Sequence, residues 1–340
     1  MHKIAIITCY IGKFPEWFQL WLNSCEYNNT FDFWVYTDQD KSAYQLSDNI
    51  YWENTSLVEL KHKISNICGF DILLDKAYKL CDYKPLYGLI FEDEIKDYDF
   101  WGHCDIDLIF GDLRKFITED ILQSYDRIFE VGHLSLYRNC KEINEAYRLL
   151  GGMIPFEEVA RTKAYCGFDE HTGITRIFMK NGFKTYAKVV CADIDPHYKA
   201  FYMMDEDSTQ KDAIVINFAH QLFYFDNGRT YRIYIDTNNM LKKNEVSYIH
   251  FMRKNPCGSK NCEGIGKFII TYNRMIPLNT PITTSYILKY DYATSGICKK
   301  IEYSKAFIKN GYRAWKNKEL GIRIKMRWNR IKFINRKKME

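Results

Sequence analysis

The first third of the chain alternates short apolar runs with amphipathic stretches. Residues 3–10 (KIAIITCY) are apolar and β-branched behind a charged start, which predicts a buried strand ended by Gly12 and Pro15. Across residues 16–27, Trp17, Phe18, Trp21, Leu22 and Cys25 share one face at helical spacing. Residues 31–37 (FDFWVYT) predict a second strand that closes at Asp38. Strand, helix and strand with short connections predict an α/β fold, an open and mostly parallel sheet flanked by helices. Ligands of such sheets sit beyond the carboxyl ends of the strands. That edge holds Tyr10, Gly12 and Asp38.

Residues 56–67 and 71–80 predict helices, and Lys84-Pro85-Leu86-Tyr87-Gly88 opens another, proline being tolerated near a helix start. Phe100–Cys104 (FWGHC) predicts a strand that runs into Asp105-Ile106-Asp107, with Leu108–Phe110 after it. Residues 128–131 and 133–137 are strand-like around Gly132, and 142–150 and 172–180 are helical in pattern. Residues 214–218, 221–225, 230–235 and 248–251 predict strands, with a hairpin turn at Asp226-Asn227-Gly228. The pattern divides the chain into a body (1–255), a loop-rich connection (256–298) and a basic, helical appendage (299–340).

Charge sharpens the last division. Residues 299–340 carry 15 Lys/Arg against 3 Asp/Glu, or +12, while the other 298 residues carry 33 against 40, or −7. The net +5 therefore averages an acidic body and a basic tail. Phe307, Tyr312, Trp315, Leu320, Ile324, Trp328 and Ile331 recur along the tail at mostly three- to five-residue spacing, with cations between them. That pattern suits an interfacial helix on an anionic membrane surface. Packing on the acidic body is the alternative, and nucleic acid is the least favoured partner.

Composition excludes some classes. With 46% hydrophobic and 27% charged residues the chain is not disordered throughout. No stretch approaches the roughly 18–20 apolar residues of a spanning helix, and no secretory pattern is read at the start. Eleven scattered cysteines, an odd number, argue for free thiols rather than a disulfide framework. Cys257 and Cys262 form a C-x4-C pair with no second pair beside it. The expected location is cytoplasmic, peripheral at the inner face of the membrane. Phosphate-loop, dinucleotide, zincin and serine-hydrolase motifs are absent.

The sharpest chemistry lies at Asp105 and Asp107. Two carboxylates at i and i+2 beyond a strand end suit a hard divalent cation, Mn²⁺ or Mg²⁺, with substrate phosphates completing its shell. The segments KPLYG (84–88) and FWGHCDIDLIFGD (100–112) resemble the DXD region of GT-A glycosyltransferases. They are most similar to a bacterial family, formerly of unknown function, associated with surface-polysaccharide synthesis. The resemblance covers roughly residues 1–255. It implies a GT-A-like sheet that binds a nucleotide-sugar. Asp105 would meet the ribose or bridge to the metal, and Asp107 would hold the metal against the diphosphate. Asp38 would lie near the base or ribose, with Lys84 and Tyr87 lining the donor pocket. His250 would complete the metal shell, and Arg253 and Lys254 would contact phosphate.

On the acceptor side, Asp169 and Glu170 in FDEH are candidates for a general base. The same acids would equally suit the start of the following helix. His133 is either a donor or acceptor contact or a packed residue, and the second triplet Asp193-Ile194-Asp195 ranks well below the first. The resulting expectation is a metal-dependent glycosyltransferase. It would move a sugar from a nucleotide-sugar donor to a glycan or lipid-linked glycan acceptor in cell-surface polysaccharide synthesis. The alternative is a catalytically silent nucleotide-sugar or glycan-binding protein.

Overall fold

Strand β1 (Ile4–Tyr10) is buried on both faces. Ile4 and Ile6 enter one apolar cluster and Ala5 and Ile7 another, the two-residue period of a strand inside two layers. The computed structural model describes residues 1–195, 200–206, 214–216, 220–251, 256–290, 312, 316 and 319–337. Strand β1 runs parallel to β2 (Asp32–Thr37) on one side and to β4 (Phe100–Cys104) on the other. The whole sheet has the order β3-β2-β1-β4-β7-β6-β8. Its outer members are β3 (Ile50–Asn54), β6 (Arg127–Val131), β7 (Leu134–Arg138) and β8 (Thr185–Tyr186). Only β7 opposes its neighbours, so this sheet is mostly parallel as expected. From β1 the chain moves outward to β2 and β3, and then returns to place β4 on the other side of β1. A crevice opens at such a reversal, at the carboxyl ends of the two strands.

Helix α1 (Phe18–Glu26) buries Phe18, Leu20, Trp21, Leu22 and Cys25. Tyr10, Phe14, Phe18 and Trp21 form a ladder of stacked rings with successive centroids 4.9, 3.7 and 5.4 Å apart. That ladder stiffens the end of β1. Helix α2 (Leu57–Cys68) starts at a Ser56–Glu59 capping box and stops at Gly69, whose φ of 76° is left-handed. In KPLYG, a side chain at Gly88 would collide with the Trp101 indole and Asn144.

Two further sheets make the body mixed. One has the order β11-β10-β9-β15-β5 and joins β5 (Leu108–Phe110), β9 (Val189–Asp195), β10 (Ala200–Glu206), β11 (Ile214–Ile216) and β15 (Tyr248–His250). The other, β14-β13-β12-β16-β17, is antiparallel throughout. It contains β12 (Gln221–Asp226), β13 (Arg229–Ile235), β14 (Leu241–Val246), β16 (Lys267–Ile270) and β17 (Met275–Pro277). The β12–β13 turn is the predicted one, with Asn227 and Gly228 at φ 47° and 83°.

Three expectations are corrected. The folded body does not end at residue 255. Strand β16 buries Phe268 and Ile270 in one cluster and Ile269 in another, and the helix Thr284–Tyr290 adds Ile287. Residues 71–80 are not one helix. Ile72 and Leu74 are buried alternately in an extended link, and a 3₁₀ helix follows at Ala77–Leu86. Residues 142–150 are two short turns of helix, Lys141–Asn144 and Ala146–Arg148.

None of the ten cysteines among the described residues is in a disulfide, and Cys257 is exposed while Cys262 is buried. No helix of the described residues is long and apolar enough to cross a membrane. In the tail, the helix Leu320–Lys337 docks on the body through one face. Ile322 and Met326 pack against the apolar cluster on one side of the parallel sheet. Asn329 Nδ2 donates to the Met153 carbonyl at 2.8 Å, and Lys325 pairs with Glu158.

Candidate functional site

Asp105-Ile106-Asp107 is the link by which the chain leaves the parallel sheet and joins the second one. Strand β4 ends at Cys104, and the Asp105 amide donates to the His133 carbonyl at 3.0 Å. Strand β5 then pairs antiparallel with β15, Leu108 opposite His250. The Phe251 amide donates to the Asp107 carbonyl at 3.0 Å. Backbone pairing alone therefore carries His250 to the aspartate pair. Strand β15 also runs beside β9 with Ile249 opposite Ala192, which sets Asp193 beside His250.

The carboxyl edge of β1 and β4 forms a cleft of about 440 Å³. Tyr10, Lys13, Tyr78, Lys84, Asp105 and Asp107 line it, with Tyr87 at its wall. Asp105, Asp107 and His250 bring one ligand atom each to within 4.8 Å of one another. His250 Nε2 lies 3.7 Å from Asp107 Oδ1, beyond hydrogen-bond distance, so two ligand atoms converge without closing on each other. Carboxylate oxygens with one imidazole fit Mn²⁺ better than Mg²⁺, which prefers an all-oxygen shell.

Charge around this group is strongly organised. Lys84 is only 5% exposed. Its Nζ donates to Asp105 Oδ1 and to the Gly132 carbonyl, both at 2.7 Å, and lies 3.4 Å from Asp169 Oδ2. Burial opposes its charge, but Asp105 and Asp169 outweigh burial and hold the ammonium well above the ordinary lysine value. Burial pushes Asp169 up to about 8, despite the nearby Lys84. The Tyr165 hydroxyl donates to Asp169 Oδ1 at 3.1 Å. Glu170 is exposed, and its carboxyl covers Gly132, where any side chain would strike it.

His250 is buried and bonds through Nδ1 to Asp193 Oδ1 at 2.7 Å. Burial works against its charge, but Asp107 and the Asp193 bond carry it up to about 9. Burial would raise Asp193, yet the His250 bond dominates and holds it at about 2. His133 stacks on His250 with ring centroids 4.4 Å apart. Burial and the His250 charge depress His133 to about 3.

The cleft thus unites Tyr10, Lys84, Tyr87, Asp105 and Asp107, with His250 behind them and Asp169 across Lys84. Gly12 and Asp38 do not line it. The Asp38 carboxylate accepts from the Gly12 amide at 2.8 Å and ties down the loop after β1, a positioning role. Arg253 and Lys254 lie outside the described residues. Asp193, ranked low from sequence, is part of the site, and the signal for it was the second D-x-D triplet. Lys13 adds a cation that no motif marked.

The molecule is an α/β protein with a carboxylate and imidazole cluster at the switch point of its parallel sheet. Residues 6–279 match DUF6625, a family of unknown function, and the chain belongs to that family. The match runs through β17, in keeping with a body that continues past residue 255. No curated protein matches the sequence.

Proposed function

We propose that the chain is a metal-dependent glycosyltransferase of GT-A type, transferring a sugar from a nucleotide-sugar to a glycan or lipid-linked glycan. The observation that carries this is the convergence of Asp105, Asp107 and His250 within 4.8 Å, beside a cleft of nucleotide-sugar size. A bound Mn²⁺ supplies positive charge against the departing nucleoside diphosphate. Asp107 and His250 would hold it, with Asp105 shared between it and Lys84. Lys13 offers a second cation to the phosphates, and Tyr10, stiffened by its ring ladder, is a platform for the base. In an inverting transfer the acceptor hydroxyl oxygen bonds to the sugar C1, and the C1–O bond to the diphosphate breaks with its electron pair leaving on the diphosphate. The hydroxyl proton goes to Asp169.

The test is a melting-temperature panel of nucleotide-sugars with and without Mn²⁺, paired with assays of transfer and donor hydrolysis. A cognate donor at 100 times its Kd should stabilise the fold by about 2.7 kcal/mol. Absence of any Mn²⁺-dependent shift would reject the proposal. Binding without turnover would leave a silent binding protein.

A base of pKa about 8 predicts a rate that rises with pH through that value. D169N should flatten the rise. Stability moves the other way. Asp169 titrates higher folded than its unfolded value of about 3.9. The native state therefore holds the extra proton between the two values, and stability falls as pH rises from about 4 through 8. Melting curves at pH 6 and pH 9 should fall less in D169N than in the wild type.

Membrane association belongs to the same proposal. The docked face of the helix Leu320–Lys337 leaves Ile324 and Trp328 48% and 60% exposed, with Arg323 and Arg327 also exposed around them. An apolar stripe flanked by cations complements an anionic bilayer, at about 1 kcal/mol per cation near the surface. Co-sedimentation with phosphatidylglycerol vesicles should drop at least about tenfold in I324E/W328E. Equal sedimentation of variant and wild type would reject the contact.

A further inference from the structure

Among the described residues, two groups of side chains could hold a metal ion, and they share His250. One is Asp105, Asp107 and His250, and the other is His133, Asp193 and His250. Their hydrogen bonds separate them. Both Asp193 oxygens are committed to protein. Oδ1 takes His250 Nδ1 and the Ile194 amide, each at 2.7 Å, and Oδ2 takes the Tyr202 hydroxyl at 2.8 Å. A metal on Asp193 would have to displace these bonds inside a buried site. His250 has its Nδ1 occupied by Asp193, which leaves Nε2, turned toward Asp107.

We propose that Asp193 is a positioning residue that orients His250 from behind as a ligand for a divalent cation held by Asp107. This inference rests on the metal reading of the site. A carboxylate bonded to Nδ1–H leaves the lone pair on Nε2, fixes the ring plane and raises the basicity of the ligand nitrogen. Three features hold the arrangement. The β9–β15 register sets Asp193 beside His250, the Tyr202 hydroxyl anchors the far carboxylate oxygen, and the stacked His133 ring restricts rotation of the imidazole. Asp193 of the second triplet thereby serves the first triplet, 105–107, from strand β9, and does not form a second metal centre.

The experiment is a Mn²⁺ titration of the full chain followed by electron paramagnetic resonance, with melting curves to establish that each variant folds. D107N should lose binding. D193A should bind about 10–100-fold more weakly than the wild type, the usual cost of removing the partner behind a metal-bound imidazole. D193N should stay within a few-fold of wild type, because its amide oxygen can still accept from Nδ1. D193A/H250A should bind no more weakly than H250A, since Asp193 acts only through that ring. If D193A does not fold, D193S replaces it with the same expectation.

Wild-type affinity in D193A would overturn the proposal and leave the pair a packing contact. Loss in D193N equal to that in D107N would also overturn it, by making Asp193 a direct ligand. No Mn²⁺ binding by the wild type, or full binding by D107N, would remove the metal centre itself. That result differs from either outcome at Asp193.

Discussion

Replacing Asp107 by alanine should abolish metal-dependent sugar transfer, with a loss of about 10³-fold in kcat/KM and little change in fold. The size follows from what the side chain would do: secure the cation set against a departing diphosphate, where one lost electrostatic contact costs about 10²–10³-fold. The small effect on folding follows from how the residue is held. Its backbone carbonyl, rather than its side chain, takes the bond from Phe251, so the strand link survives truncation. His250 also keeps Asp193 as a counter-charge. Asp105 is a less clean target, because its removal also strips Lys84 of its closest carboxylate. Transfer and hydrolysis assays across Mn²⁺ concentrations, with melting curves alongside, decide the matter. Undiminished turnover in D107A would rule out the proposed role of the aspartate pair.

The largest stability effect should come from Lys79. Its ammonium is buried and bonds to Asp82 at 2.8 Å and to the carbonyls of Val159 and Ala164 at 2.9 and 2.7 Å. Asp82 in turn accepts from the amides of Cys166 and Phe168 at 2.9 and 2.8 Å. K79M would leave a buried carboxylate without its cation, at a cost of about 3–5 kcal/mol. Adding D82L should not restore stability, because the two amides would then be orphaned. Denaturant midpoints measure both variants, and a K79M value within about 0.5 kcal/mol of wild type would contradict the prediction. Asp169 follows Phe168 directly, so the same network sets the loop that carries the proposed base.

The edge strand β3 (IYWEN), buried only at Ile50, shows no apolar run, whereas β1 and β2 were legible because they are mostly buried. Residues 3–10 and 31–37 therefore read as continuous apolar runs, and helix α1 shows its stripe of Trp and Phe. Of the later strands, β12, β13 and β15 were also readable, but β14 and β9 hide for different reasons. Strand β14 (LKKNEV) is an exposed edge whose lysines look like loop, although charge on an edge strand discourages unwanted pairing. Strand β9 ends in acidic residues just before Pro196, a pattern that reads as a turn. Asp105 and Asp107 were visible through their local motif. The His250–Asp193 bond was not, since it depends on the register of two strands more than fifty residues apart, which no local pattern encodes. The tail's apolar spacing was also readable, but not that Ile322 and Met326 face inward while Ile324 and Trp328 face out.

The route of the chain through the site has a consequence for folding. Asp105 and Asp107 belong to the hinge where β4 passes into β5, and His250 closes a long excursion that builds the second and third sheets. An ion bound by all three would act as a rivet across that excursion, closing a large loop in the folded state alone. Manganese depletion would then loosen the seam between the parallel sheet and its neighbours. Amide exchange along β5 and β15 would quicken on chelation, while β1 and β2, far from the seam in the chain's order, would keep their protection.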